Sequence, residues 1–182
     1  SEGATRAHAL TVLAAALAEL NDFPAAMRAA GEAVTAATDA GDERHALRAE
    51  LVRIDARGHV DPTYATASVR EETEQVLRRL QEIGDEDGVF RALLAVSRQD
   101  FYEGHCMKSL AACRQLFDRA HGRPYRDRDA VAQGFYAAAV FGPPPTAEAL
   151  SLVEQGSRLS VGSLATEAIV CTIRAELLAM EG

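Results

Sequence analysis

The sequence has no tryptophan and a single lysine, Lys108, and aromatic residues make up only 5% of its 182 residues. A core with so few large rings must be built mainly from aliphatic side chains, and alanine supplies much of the 48% that is hydrophobic. Small side chains suit helices that pack closely against other helices. The chain also has no glycine-rich phosphate-binding loop and no Gly-x-Ser-x-Gly motif, so we expect neither a bound cofactor nor an enzyme.

Basic residues are too few and too scattered for a nucleic-acid or anionic-membrane surface. The formal net charge is -8, whereas both of those partners bind a clustered basic face. One basic stretch, Arg119–Arg128, contains Asp127 and Pro124, and we expect it to be a solvated loop. No apolar run approaches the ~18 residues of a membrane span, and no secretory signal begins the sequence. We therefore expect a cytoplasmic protein.

Cysteine and histidine are also sparse. Cys106 and Cys113 are spaced to share one face of a predicted helix, and Cys171 lies far along the chain, so we expect reduced, packed thiols. His105 is adjacent to Cys106 and about two helical turns from Cys113, so neither pairing fits one metal ion. We predict no metal site, and surface or helix-end positions for the remaining histidines. The acidic run at residues 85–87 is expected to be an exposed turn and helix start.

What the sequence does contain is helical periodicity. Apolar residues recur at spacings of three and four in many places, and no long alternating strand pattern is present. We expect Asp22 to cap the second helix, Gly41 to end it, and Thr146 to cap the eighth. The pattern predicts helices at about residues 5–20, 24–40, 43–57, 66–83, 87–102, 106–120, 128–140, 146–159 and 163–180.

An internal repeat relates two parts of this helical pattern. Six positions match at a common offset of 43 residues, namely Gly41, Asp42, Glu43, Arg48, Ala49 and Leu51 with Gly84, Asp85, Glu86, Arg91, Ala92 and Leu94. Such a register indicates a duplicated two-helix unit. The unit is longer than the ~34 residues of a standard tetratricopeptide repeat.

The segment from Asn21 to Val34 resembles the second half of a tetratricopeptide repeat. Ala26 and Ala33 match the two small positions where helices cross closely, whereas Ala30 stands at a position usually held by a bulky aromatic residue. The resemblance implies an all-α fold. It would be an antiparallel helix-hairpin, right-handed superhelical array spanning residues 1–182 as one repeat segment.

A second resemblance lies at Phe141–Leu150, where a Gly-Pro-Pro-Pro turn precedes a helix containing Glu148-Ala149. It is similar to a Gly-Pro-x-Pro turn in the helical repeat regions of large bacterial regulators. Those proteins join a signalling ATPase module to a nucleotide cyclase or a DNA-binding effector. The resemblance implies a repeat module that acts as a sensor or relay in signal transduction or transcription regulation.

The apolar spacing of Ile169, Ile173, Leu177 and Met180 predicts a helix face that a following repeat or a second copy would cover. With Glu181–Gly182 as the start of a further turn, this suggests a fragment of a longer multidomain protein. Self-association that sets the oligomeric state is therefore the alternative function.

Five aromatic residues are the candidate binding residues: Phe101, Tyr102, Phe135, Tyr136 and Phe141. Successive first helices of a repeat array line its concave side, so these rings would bind a protein or peptide partner or a small inducer there. The competing interpretation is that they pack between neighbouring helices.

Overall fold

The computed structural model of the protein describes residues 2–61, 66–160, 162 and 164–180. Within these ranges the chain forms α-helices and no strand, which confirms the all-α prediction. The helices are α1 (Glu2–Glu19), α2 (Phe23–Asp39), α3 (Glu43–Val60), α4 (Thr66–Glu82), α5 (Glu86–Tyr102), α6 (Cys106–Ala120), α7 (Tyr125–Phe141), α8 (Thr146–Leu159) and α9 (Leu164–Met180).

Three helix boundaries differ from expectation by three residues. Helix α1 begins at Glu2 rather than near residue 5. Helix α3 continues through Gly58, because one glycine lowers helix stability by only about 1 kcal/mol and does not end a helix that packs well. Helix α7 begins at Tyr125, directly after Pro124 at its N-cap. The prediction of a basic loop at residues 119–128 is therefore wrong, since most of that stretch is helical. The expected start of the ninth helix at Ser163 and the turn at residues 181–182 lie outside the described residues.

Four of the helix–helix turns share one backbone geometry, and we call them the left-handed turns. Each contains a residue of positive φ, between 59° and 79°, at Asn21, Gly41, Gly84 or Gly104. The next residue donates its backbone N–H to the carbonyl five positions earlier, as helix C-terminal motifs of this kind do. These bonds are Asp22 to Leu17 at 3.0 Å, Asp42 to Ala37 at 2.8 Å, Asp85 to Leu80 at 2.9 Å and His105 to Asp100 at 2.7 Å.

At two of these turns the side chain of the residue after the positive φ also caps the following helix. Asp22 accepts a hydrogen bond from the Ala25 N–H at 3.1 Å, which confirms the predicted cap, and Asp42 accepts one from His45 at 3.1 Å. Such caps satisfy backbone donors that the first helical turn leaves free. The predicted Thr146 cap is wrong, because Thr146 is the first residue of α8 and Pro145 occupies the N-cap.

The chain divides into two compact units, residues 1–95 and 96–182, with the border inside α5. In the first unit, α1, α2 and α3 all contact one another and α3 contacts α4. The α1–α3 part is packed through fully buried alanines, as the composition led us to expect. These are Ala7, Ala14, Ala26, Ala30, Ala33, Ala37 and Ala49. Towards α4 and α5 larger aliphatic side chains replace them, in a cluster of Leu51, Ile54, Val76, Leu80, Val89 and Ala92.

An ion pair joins α3 to the turn before α5 in this first unit. The Arg48 guanidinium donates two hydrogen bonds to the Asp85 carboxylate, from Nε at 2.7 Å and from Nη2 at 2.5 Å. Asp85 is only 3% exposed, so the expectation of an exposed acidic turn is wrong at this residue. The Arg48 hydrogen bond and charge hold the pKa of Asp85 below its usual value, against the opposing effect of burial.

In the second unit α7 contacts both α6 and α8, and α9 contacts α8 and α7. Glycines on two helices allow this close packing. A Cβ added at Gly134 of α7 would lie 2.2 Å from the Cys113 sulfur, and one added at Gly156 of α8 would lie 2.7 Å from the Tyr136 ring. The lack of a side chain at Gly134 therefore lets α7 pack close to α6.

Candidate functional site

Three of the five candidate aromatic residues form one cluster at the ends of α5 and α7. The Phe101 ring lies 5.9 Å from the Tyr102 ring and 5.9 Å from the Phe141 ring, measured between centroids. Tyr102 is 71% exposed and Phe141 68% exposed, while Phe101 is partly buried between them. We call these three residues the aromatic cluster. The rings of Tyr102 and Phe141 are exposed to solvent, and the partly buried Phe101 ring packs beside both of them.

The other two candidates, Phe135 and Tyr136, are in the interior. Phe135 is 1% exposed and packs edge-on against Phe117, with ring centroids 5.5 Å apart. Tyr136 is 3% exposed, and burial raises the pKa of its phenol. Because α7 packs on both α6 and α8, two consecutive side chains are buried on its two sides. Neither ring is open to a partner at the surface.

A group of hydroxyls and one carboxylate lies between α7 and the start of α9. The Tyr125 hydroxyl lies 2.7 Å from Thr166 Oγ1 and donates to Asp129 at 3.3 Å, and Thr166 donates to the same carboxylate at 3.2 Å. Ser160 donates to Asp129 at 3.4 Å. The Tyr136 hydroxyl is buried near Ser160 but has no hydrogen bond of normal geometry among the described residues. This polar group is largely satisfied internally and positions α9 on α7 and α8.

Two histidines that are distant in sequence meet at the turn between α2 and α3. The His8 and His45 rings are 5.4 Å apart and nearly perpendicular, and His45 Nδ1 lies 2.8 Å from Asp42 Oδ2. An open depression beside them is lined by residues including Gly41, Asp42 and His45. His8 is exposed and His45 lies in the first turn of α3, which agrees with the predicted surface or helix-end positions. Their spacing in the sequence did not predict that the two rings meet.

A third polar group lies at the turn between α5 and α6, where the ligand-type atoms of Asp100, Glu103 and His105 are all within 4.8 Å of one another. From the sequence, His105 was weighed as a metal ligand only together with Cys106 or Cys113, and the two neighbouring carboxylates were missed. The signal was nevertheless local, since the three residues fall within six positions. The three residues span the end of α5 and the following turn. Helical spacing does not predict side-chain contacts beyond the end of a helix.

The buried thiol is poorly suited to nucleophilic chemistry. Cys113 Sγ lies 3.1 Å from the Ser97 hydroxyl in a fully buried position, and burial raises the pKa of the thiol. A raised pKa leaves little reactive thiolate at neutral pH. Cys106 is also buried, as predicted, whereas Cys171 is exposed, so the expectation of packed thiols is wrong for the third cysteine.

No family model matches the chain, and no curated protein or solved structure matches it at a significant level. The geometry of the chain itself is therefore the basis for any functional assignment. None of the helices in the described ranges is both long and apolar enough to cross a membrane.

Proposed function

We propose that this protein is a non-catalytic binding module that docks a protein or peptide partner on its aromatic cluster. The observation that carries the proposal is the exposure of Tyr102 and Phe141 beside Phe101. Solvent-exposed aromatic side chains of this size are enriched at the energetic centres of protein interfaces. They bury a large apolar area on binding and lose few rotatable bonds when they become fixed.

The scaffold in this proposal is a tetratricopeptide-like array. The left-handed turns fall in two pairs, each pair twenty residues apart, which supports repeated helix hairpins of similar length. Contacts of α1 with α3 and of α7 with α9 follow the pattern in which alternate helices of such an array pack together. Ala26 and Ala33 are both fully buried, as residues at close helix crossings should be.

The biological setting we propose is a cytoplasmic bacterial regulator in which the module senses a partner or inducer and relays its presence to an effector domain. The Gly142–Pro145 turn that carries this resemblance precedes α8 and joins it to α7. Such a role requires binding alone, and the exposed rings of the cluster offer an apolar recognition surface.

Selection of a displayed random-peptide library on the full chain tests the proposed binding. We expect aromatic- or aliphatic-rich peptides to be enriched, and Tyr102→Ala or Phe141→Ala to weaken their binding about tenfold or more, measured by fluorescence anisotropy. Leu20→Ala is the matched control, because Leu20 is 76% exposed but lies in the first unit. No enrichment, or equal loss in the control, would count against the proposal.

Self-association is the second candidate function, and one feature of α9 favours it. While Val170, Ile173 and Leu177 are buried, a second set of apolar side chains on the same helix faces solvent. The exposed set is Leu164 at 84%, Ile169 at 44%, Leu178 at 55% and Met180 at 77%. Sedimentation velocity over a wide concentration range tests this candidate. A dimer that Leu178→Glu dissociates would support it, and a monomer at every concentration would rule it out.

A further inference from the structure

The left-handed turn at Gly104 differs from the other three at three positions. In the others the cap residue is aspartate, and the residues two and five positions before it are apolar. At the fourth turn the cap is His105, and the two earlier positions hold Glu103 and Asp100. The corresponding residues of the other turns are Leu17, Leu20 and Asp22; Ala37, Ala40 and Asp42; and Leu80, Ile83 and Asp85.

These replacements are not explained by the needs of the turn. His105 makes no side-chain capping hydrogen bond to α6, so the change from aspartate removes a stabilising contact. Asp100 lies in the last turn of α5, which contains no basic residue. Negative charge there is unfavourable because of the partial negative charge at a helix C-terminus. The Asp100 side chain is 95% buried.

The three side chains converge on one point. His105 Nδ1 lies 3.3 Å from Glu103 Oε2 and 3.9 Å from Asp100 Oδ1. Ligand atoms held about 2.0–2.2 Å from a tetrahedral zinc ion lie about 3.3–3.6 Å from one another. The two separations from His105 are therefore close to those of ligands that share an ion, and the Asp100 and Glu103 oxygens lie within 4.8 Å of each other. Glu103 and His105 are partly exposed, which leaves an entry path and room for water as a fourth ligand.

We propose that Asp100, Glu103 and His105 form a binding site for a divalent transition-metal cation of the zinc type. One imidazole and two carboxylates supply the nitrogen and oxygen ligands that such an ion accepts. The cation would bind two carboxylates from the end of α5 and the turn and the imidazole at the N-cap of α6, and so would fix the turn between α5 and α6. This inference is independent of peptide binding by the aromatic cluster, although Phe101 and Tyr102 lie in the same turn.

Calorimetric titration of the metal-stripped full chain with zinc chloride tests the site. All proteins carry Cys171→Ser, because an exposed thiol would bind zinc by itself. We expect one zinc ion at this turn and a higher melting temperature in zinc than in chelator. Glu103→Gln and His105→Ser should each weaken zinc binding about tenfold or more. In chelator, His105→Ser should be at least as stable as the parent, because serine is a better helix cap than histidine.

Two histidine variants serve as controls. His121→Asn removes another exposed histidine at a helix end. His45→Asn disrupts the His8–His45 pair beside Asp42. Both should retain the zinc affinity. The proposal is overturned if zinc leaves the melting temperature unchanged or binds Glu103→Gln and His105→Ser as well as the parent. Loss of binding in His45→Asn would overturn it too, as would an equal effect of calcium, which prefers all-oxygen sites.

Discussion

The turns at Gly41-Asp42 and Gly84-Asp85 have the same local sequence and nearly the same backbone, with φ of 66° and 67° at the glycines. Their aspartates nevertheless have different surroundings. Asp42 is partly exposed, and its carboxylate binds the backbone N–H and the ring of His45, which is three residues further along the chain. Asp85 is buried and binds Arg48 of another helix. The difference shows that local sequence specifies the turn, while the neighbouring helix decides how strongly the turn contributes to stability.

The largest expected effect comes from replacing Arg48, which binds Asp85 from another helix. Arg48→Met keeps most of the aliphatic stem but leaves the Asp85 carboxylate buried without its guanidinium. We expect a loss of about 3 kcal/mol in the free energy of unfolding, measured by urea denaturation. Arg91→Met is the matched control, because Arg91 lies 43 residues after Arg48, at the matching position of the sequence offset, and is half exposed beside Asp87. It should cost less than about 1 kcal/mol. Equal losses would show that the two turns do not differ as described.

The pH dependence of stability provides a second test of the difference between the buried Asp85 and the partly exposed Asp42. The pKa of Asp85 is lowered in the folded state from an ordinary value of 3.8, so the carboxylate binds protons more readily when the chain is unfolded. The stabilisation is therefore fully present above about pH 4 and is lost as pH falls through the lower folded value. We expect stability to decline less steeply on acidification in Arg48→Met than in the parent, measured by urea denaturation across pH 2–6. Parallel profiles would contradict the assigned role of Arg48.

The smallest expected effect extends the comparison to the fourth left-handed turn. His105→Asn supplies a capping side-chain oxygen, as aspartates do at other left-handed turns, without a third carboxylate beside Asp100 and Glu103. We expect it to stabilise the chain by about 1 kcal/mol in the presence of a chelator, measured by urea denaturation. Glu103→Ala, which leaves the cap unchanged, should not reproduce the whole gain. Destabilisation by His105→Asn in chelator would mean that the imidazole has a structural role that the other turns lack.

Much of the fold could be predicted from the sequence because its signals are local. The recurrence of apolar residues at three and four located every helix in the described ranges, and glycine with aspartate located two of the left-handed turns. Ala49 and Ala92, one of the pairs that match at the offset of 43 residues, are both fully buried. The offset aligns α3 with α5, which follow turns of the same type.

The remaining features depend on packing that the local pattern does not contain. Arg48 and Asp85 are 37 residues apart, so spacing alone could not pair them. The burial of Phe135 and Tyr136 follows from α7 having helices on two sides, whereas a helix pattern read alone suggests one buried face. The Asp100, Glu103 and His105 group was missed although its members are close in sequence. The left-handed turn brings them together, and helical periodicity does not extend through such a turn.

The unequal exposure of the three cysteines makes the chain suitable for selective chemical labelling. Cys171 is accessible on α9, while Cys106 and Cys113 are buried on α6. A maleimide dye would therefore attach at one defined place in the folded protein, without mutagenesis. Modification of the second and third thiols would have to wait until α6 opens, so the rate at which labels accumulate would report the free energy of that local opening. Mass spectrometry would then record the motion of one helix within the intact chain.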